Sequence, residues 1–241
     1  MTLREGEIVG IAGVSGNGQS ELLDVLSGIV APTGGHFTVG TNQITAERPS
    51  DPAELRDFGV AHVPEDRHKC GIVLPFSAAE SMILGYSGGD EEDGGWWLSP
   101  SKLEESCAGR MREFDIRPPI PKLQSANFSG GNQQKIVLAR EISTQPKLLL
   151  VGQPTRGVDI GAIEFIHKQL IALRNEGCAI LLVSVELDEI MSLSDRILVM
   201  NNGQIVGELA REDADERALG LMMAGIGAEE KDAGCLLYTS D

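Results

Sequence analysis

The segment from residue 13 to residue 20 has the glycine spacing of a loop that binds phosphate. It reads Gly-Val-Ser-Gly-Asn-Gly-Gln-Ser, and such glycines let successive backbone amides turn towards phosphate oxygens. The position of Gln19 usually holds a lysine, whose positive charge a glutamine replaces by a neutral hydrogen bond. Ser20 keeps a hydroxyl that would form a weak Mg²⁺ site. The candidate nucleotide-binding residues are Gly13, Ser15, Gly16, Asn17, Gly18, Gln19 and Ser20.

The elements on either side of this loop match the context that the motif requires. An apolar run over residues 7–12 predicts a buried strand, and the apolar spacing over residues 19–26 predicts a helix. The amino terminus of that helix would face the loop and favour an anion. A glycine-rich turn that caps an ordinary helix is the alternative for the loop alone.

Composition limits the partners of the chain. Its 241 residues carry a net charge of -16 with a pI near 4.6, which disfavours nucleic acid, because phosphate backbones are bound by clustered Lys and Arg. No run approaches the roughly 18 apolar residues of a membrane span, and no signal-peptide core follows Met1. The sequence therefore predicts a cytoplasmic protein without a direct membrane span.

The alternation of strand and helix patterns predicts an α/β fold with a mainly parallel core sheet. Strands are expected at residues 60–63, 148–151, 179–184, 196–200 and 205–209. The middle of the chain changes character, with helical patterns at residues 78–84 and 102–114. We expect a core in two parts (residues 1–64 and 145–225), an inserted helical subdomain (residues 65–144), and a tail (residues 226–241) that is disordered or artefactual.

The most specific string of the chain is Asn-Phe-Ser-Gly-Gly-Asn-Gln-Gln-Lys at residues 127–135. Ser129 can cap the helix that follows, and Gly130 and Gly131 let an anion approach the backbone amides. This string resembles the signature motif of ATP-binding cassette (ABC) transporter ATPases. The other strings of that family follow in order: Pro64-Glu65-Asp66-Arg67, Gln153-Pro154-Thr155, Val158-Asp159 and Val183-Ser184-Val185-Glu186.

The residues of these motifs are similar to those in the second cassette of bacterial importers for simple sugars and nucleosides. Those importers carry two cassettes fused in one polypeptide. Residues 153–170 are most similar to the nucleoside branch. The resemblance implies a P-loop NTPase (RecA-like) fold, ATP and Mg²⁺ as cofactors, and membrane permease subunits as partners. It also implies a partner cassette fused upstream and a peripheral location on the inner face of the plasma membrane.

Several positions depart from the chemistry that the resemblance implies. Where the family has Asp and Glu after a core strand, this chain has Gly152 and Gln153, so a carboxylate base is missing. Val185 stands at the position of the histidine that contacts the γ-phosphate, and Glu65 replaces the glutamine of the hinge loop. We therefore expect the isolated chain to be inactive or nearly so as an ATPase.

The positions that would act on a partner's nucleotide are retained. Cassettes of this family pair head to tail, so the signature motif of one completes the nucleotide site of the other. The candidate residues in trans are Ser129, Gly130, Gly131, Asn132 and Asp159. A self-sufficient ATPase and a cassette of a soluble ABC protein remain as alternative functions.

Overall fold

A computed structural model describes residues 1–86 and 99–225 of the chain. The tail expected at residues 226–241 lies outside these ranges. Within them, the strands are β1 (Ile8–Ala12), β2 (His36–Val39), β3 (Asn42–Thr45), β4 (Val60–Val63), β5 (Leu148–Gly152), β6 (Ala179–Val183), β7 (Arg196–Asn201) and β8 (Gln204–Ala210). The helices are α1 (Gln19–Leu26), α2 (Pro52–Asp57), α3 (Ala78–Ser81), α4 (Pro100–Glu113), α5 (Gly130–Ile142), α6 (Ile160–Asn175), α7 (Leu187–Leu193) and α8 (Glu216–Met223).

Six strands form one sheet in the order β4-β5-β6-β1-β7-β8. All neighbouring pairs are parallel except β7 and β8, which form an antiparallel hairpin. Asn202 and Gly203 make the turn of this hairpin with positive φ angles of 54° and 76°, as two-residue hairpin turns require. The predicted α/β architecture with a mainly parallel sheet is confirmed.

Both faces of the sheet are buried, which explains why its central strands are apolar throughout. Alternate residues point to opposite faces, so Ile8 and Ile180 belong to one core cluster and Val9 and Leu181 to the other. Side chains of α5 and α6 contribute to the first cluster, and Leu23 of α1 contributes to the second.

Four strands end at the same edge of the sheet and place the candidate site there. The phosphate loop follows β1, and the chain beyond β4 leads to Glu65. Gly152 ends β5 and is followed by Gln153, while Val185 lies just beyond β6. Because these strands are parallel, their carboxyl ends open into one crevice, where ligands of α/β sheets bind.

The structure adds elements that the sequence patterns did not predict. The antiparallel hairpin β2–β3 pairs His36 with Thr45 and forms a separate two-stranded sheet. The helix expected over residues 78–84 ends at Ser81. A capping box of Ser77 and Glu80 fixes its start, and Gly85 has a φ of 87°, which ends the helical turns that follow.

A buried ion pair lies within α5, and its two side chains make hydrogen bonds to the segments that precede this helix. Arg140 and Glu141 have side chains only 4% and 2% exposed, and Arg140 Nε lies 2.7 Å from Glu141 Oε1. The hydroxyl of Tyr86 donates to Glu141 Oε2 at 2.5 Å. Burial, together with the charge of Glu141, raises the pKa of Tyr86, so this hydroxyl stays protonated as a donor.

Candidate functional site

The phosphate loop takes a conformation that depends on its glycines. Gly16 and Gly18 have φ angles of 89° and 101°, in the left-handed region that other residues seldom adopt. A Cβ on Gly18 would also lie 3.1 Å from the Cα of Gly203. The amide of Gly203 donates to the carbonyl of Asn17 at 2.9 Å. The β7–β8 turn is therefore hydrogen-bonded to the phosphate loop.

The side chain of Gln19 folds back against the phosphate loop. Its side chain is buried, with the residue 5% exposed, and its Nε2 donates to the carbonyl of Val14 at 3.2 Å. The same nitrogen lies 2.2 Å from the place that a Cβ on Gly13 would occupy, and the backbone carbonyl of Met200 lies 2.7 Å from it, so a side chain at that position is excluded. Gln19 thus closes the loop upon itself with a neutral hydrogen bond and brings no charge to it.

One carboxylate reaches the hydroxyl of Ser20, and it comes from Glu65. Ser20 Oγ donates to Glu65 Oε2 at 2.5 Å. A Cβ on Gly152 would lie 2.4 Å from the Cγ of Glu65, so the glutamate side chain occupies the space that an aspartate at residue 152 would need. A carboxylate and a hydroxyl are oxygen ligands of the kind that Mg²⁺ prefers, and the pair therefore fits that ion.

We expect Gly152→Ala to lower the free energy of unfolding by about 1 to 3 kcal/mol, because the new methyl group would lie 2.4 Å from the Cγ of Glu65 and 2.9 Å from the Cδ1 of Leu23. Urea unfolding of this variant, of Glu65→Ala and of the double variant measures the coupling. The double variant should cost less than the sum of the two single changes.

Gly109→Ala is the matched control for this pair, since a Cβ there meets nothing within 4 Å. It should be neutral or slightly stabilising in helix α4. An unchanged stability of Gly152→Ala, or a cost that Glu65→Ala leaves intact, would contradict the steric complementarity of the two positions.

Gln153 and Val185 form a hydrogen bond with each other rather than with a catalytic group. Gln153 has a φ of 47°, and its Oε1 accepts a hydrogen bond from the amide of Val185 at 3.3 Å. Both residues and Ser15 line a cavity of about 700 Å³. The imidazole in this cavity belongs to His167, which is paired with the buried Glu189 at 2.9 Å. Neither Gln153 nor Val185 can supply a general base.

The signature residues form a second group at the amino terminus of α5. Ser129 caps this 13-residue helix, and its Oγ accepts from the amide and the side-chain nitrogen of Asn132 at 3.4 and 2.9 Å. Asp159 caps α6 through the amide of Ala162. A Cβ on Gly131 would lie 2.9 Å from Asp159 Oδ2, so glycine is needed for α5 to meet the loop before α6.

Arg67 also contacts this second group. Its Nη1 donates to the carbonyl of Arg156 at 2.9 Å, and its Nη2 lies 2.8 Å from the position of a Cβ on Gly130. Partial burial lowers the pKa of the Arg67 guanidinium, which the nearby charge of Asp66 opposes. No local sequence pattern predicts this contact, because Arg67 lies 89 residues from Arg156 in the chain.

The part of the chain that the structure describes holds no group of three or more His, Cys, Asp or Glu side chains placed to bind a metal ion. Over residues 1–86 and 99–225, no helix has the length and apolar character that crossing a membrane requires.

Residues 1–156 match the family described as ABC transporter. The chain is 43% identical over 225 residues to the nucleoside import ATP-binding protein NupA of Lactococcus lactis, covering 93% of this chain and 44% of that protein. It is 42% identical over 236 residues to the glucose import ATP-binding protein TsgD13 of Haloferax volcanii, covering 97% and 42%. The chain thus spans less than half the length of these curated relatives.

The fold is similar to that of the ATP-binding cassette MJ0796, solved as a dimer in a post-hydrolysis state bound to ADP and Pi. The TM-score is 0.72 at 22% sequence identity, and the match covers 88% of each chain. At this level of identity the likeness supports the fold alone.

Proposed function

The chain belongs to the ABC transporter family, and we propose that it is a nucleotide-binding cassette of an importer for nucleosides or simple sugars. In this proposal its own hydrolytic site is degenerate, and its signature motif completes the active site of a partner cassette. The names of the nucleoside and glucose import relatives support the class of cargo.

One contrast within the chain carries the proposal. At the carboxyl edge of the sheet, Gln19, Gly152 and Gln153 replace a lysine and two carboxylates, and Gln19 is bonded to its own loop. At the amino terminus of α5, the cap and both glycines are intact. Amides at a helix amino terminus favour an anion. A chain that retains only these signature residues would bind the phosphates of a partner cassette's nucleotide better than those of its own.

The residues present fit ATP and Mg²⁺ only in part. The positive φ angles of Gly16 and Gly18 suit a loop that wraps phosphates, and Ser20 with Glu65 would hold the metal ion. When bound, Mg²⁺ would supply positive charge to the β- and γ-phosphates. With no lysine at position 19 and no carboxylate at position 153, we propose that nucleotide is bound weakly here or held without hydrolysis.

The partners and the domain division follow from the same proposal. A second cassette fused upstream is supported by the length of the relatives, of which this chain covers 44% and 42%. Permease subunits would place the cassette peripherally on the cytoplasmic face of the membrane. Residues 65–144, which hold α3, α4 and α5 between β4 and β5, would be the helical subdomain that contacts the permease.

Steady-state phosphate release tests the proposal. The isolated chain should hydrolyse ATP at the background rate, because several groups that each contribute about 10²-fold or more are missing. The two-cassette protein that contains this chain should hydrolyse ATP with ordinary turnover. Strong activity of the isolated chain would overturn the proposal in favour of a self-sufficient ATPase. Copurification of permease subunits with the two-cassette protein separates an importer from a soluble ABC protein.

A further inference from the structure

We infer that Asn132 is a positioning residue that keeps the hydroxyl proton of Ser129 free to donate to a phosphate of the partner cassette's nucleotide. The inference rests on the proposed function of the signature residues, and it gives one of them a different role. Asn132 acts through Ser129 and does not itself bind the nucleotide.

The side-chain amide of Asn132 has its orientation fixed by the backbone of a neighbouring loop. The amide of Arg117 donates to Asn132 Oδ1 at 2.8 Å, and a backbone N–H can bond only to an acceptor. The oxygen of the Asn132 side chain therefore faces Arg117, and its nitrogen faces Ser129 Oγ at 2.9 Å. A flipped side chain would place two donors against each other at Arg117.

The loop that carries Arg117 is itself held against α5. Lys135, one turn beyond Asn132, donates from its Nζ to the carbonyl of Asp115 at 2.9 Å. The carboxylate of Asp115 in turn binds the Nε of Arg117 at 2.7 Å. Lys135 is buried, and its Nζ lies 4.5 Å from the centre of the Phe165 ring on α6. These contacts keep the loop, and with it the side chain of Asn132, in one place beside the helix.

The hydroxyl of Ser129 has both of its lone pairs occupied by Asn132. Ser129 Oγ accepts from the backbone amide of Asn132 at 3.4 Å and from its side-chain nitrogen at 2.9 Å. A hydroxyl carries two lone pairs and one proton. Among the residues that the structure describes, the Ser129 hydroxyl makes these two bonds only as an acceptor. Because Ser129 is exposed, its proton is directed to groups outside the chain.

A hydroxyl that can only donate suits a phosphate oxygen, which can only accept. Hydrogen bonds to an ionised acceptor are roughly twice as strong as neutral ones. They contribute most to a rate when the donor is oriented before the reaction begins. Without Asn132, water would compete for the lone pairs of Ser129, and the hydroxyl could rotate away from the phosphate.

A double-mutant cycle of Asn132→Ala and Ser129→Ala in the two-cassette protein tests this role. Ser129→Ala should lower kcat for ATP by about 10²-fold or more, because it deletes the donor. Asn132→Ala should lower kcat several-fold with KM unchanged, because the donor remains but is no longer oriented. In the Ser129→Ala background, Asn132→Ala should have no further effect, since it acts through the missing hydroxyl. Radiolabelled ATP keeps the slow variants measurable.

Asn175→Ala is the matched control for Asn132→Ala. It removes the same side chain from the exposed end of α6, where Asn175 Oδ1 accepts from Arg174 at 3.2 and 3.0 Å. It should leave kcat and KM within about two-fold of the wild type. Thermal unfolding verifies that each variant is folded, and Asn132→Ala keeps the backbone bond to Ser129 that caps α5.

The outcomes separate this inference from the function on which it rests. Wild-type kcat in Asn132→Ala or in Ser129→Ala overturns the inference. A raised KM with kcat retained in Asn132→Ala also overturns it, because Asn132 would then bind the nucleotide itself. An equal loss of kcat in the Ser129→Ala background has the same consequence. In each of these cases the proposed function stands if Ser129→Arg stops turnover. If Ser129→Arg leaves turnover intact, the proposed function fails and the inference fails with it.

Discussion

Replacing Ser129 by arginine should lower ATP turnover of the two-cassette protein by about 10²-fold or more while leaving the fold nearly unchanged. Ser129 is exposed at the amino terminus of α5, so the fold can accommodate a long side chain there. Loss of the cap costs about 1 kcal/mol of stability. The arginine would cover Gly130 and Gly131, whose amides are proposed to face the partner's phosphates, and turnover should therefore fall at a site in another cassette.

Steady-state phosphate release of the two-cassette protein measures this effect. Gln124→Arg is the matched control, because it adds the same charge at an exposed position five residues upstream and should leave turnover within about two-fold of the wild type. Urea unfolding of both variants verifies that the fold is retained. Wild-type turnover in Ser129→Arg would mean that the signature residues of this chain complete no active site.

The sequence predicted the elements whose pattern is local. Apolar runs at β1, β5 and β6 are buried over most of their length, because a sheet covered on both faces leaves its central strands no polar positions. Gly16 and Gly18 of the phosphate loop take positive φ angles, which glycine adopts more readily than other residues. The role of Ser129 as a cap was also predictable, since capping depends on residues within one turn.

Contacts between distant residues could not be predicted in the same way. Gly152 looked like the simple loss of a carboxylate, yet the space it leaves is filled by Glu65, 87 positions earlier in the chain. The sequence pattern did not predict the hairpin β2–β3, because its strands have four residues each and are partly exposed. Such strands carry little of the apolar alternation that marks longer ones.

The Arg140–Glu141 pair leads to the largest expected effect on stability. Glu141→Ala should lower the free energy of unfolding by about 3 to 5 kcal/mol, because it leaves the Arg140 charge buried without its carboxylate. The carbonyls of Gly71 and Ser81, which accept from Arg140 at 2.8 and 3.2 Å, cannot neutralise that charge. The hydroxyl of Tyr86 would lose its acceptor as well.

Urea unfolding of the chain measures this cost against two references. Glu164→Ala breaks an ion pair with Lys168 whose side chains are both 70% exposed, and it should leave the free energy of unfolding nearly unchanged. Arg140→Met combined with Glu141→Leu removes both charges together and should cost much less than Glu141→Ala, since apolar pairs of similar size often replace buried ion pairs without loss. A Glu141→Ala variant as stable as Glu164→Ala would show that the Arg140 charge reaches solvent. The pair would then have no part in holding α5, and the signature residues at its amino terminus, against the segments that follow the phosphate site.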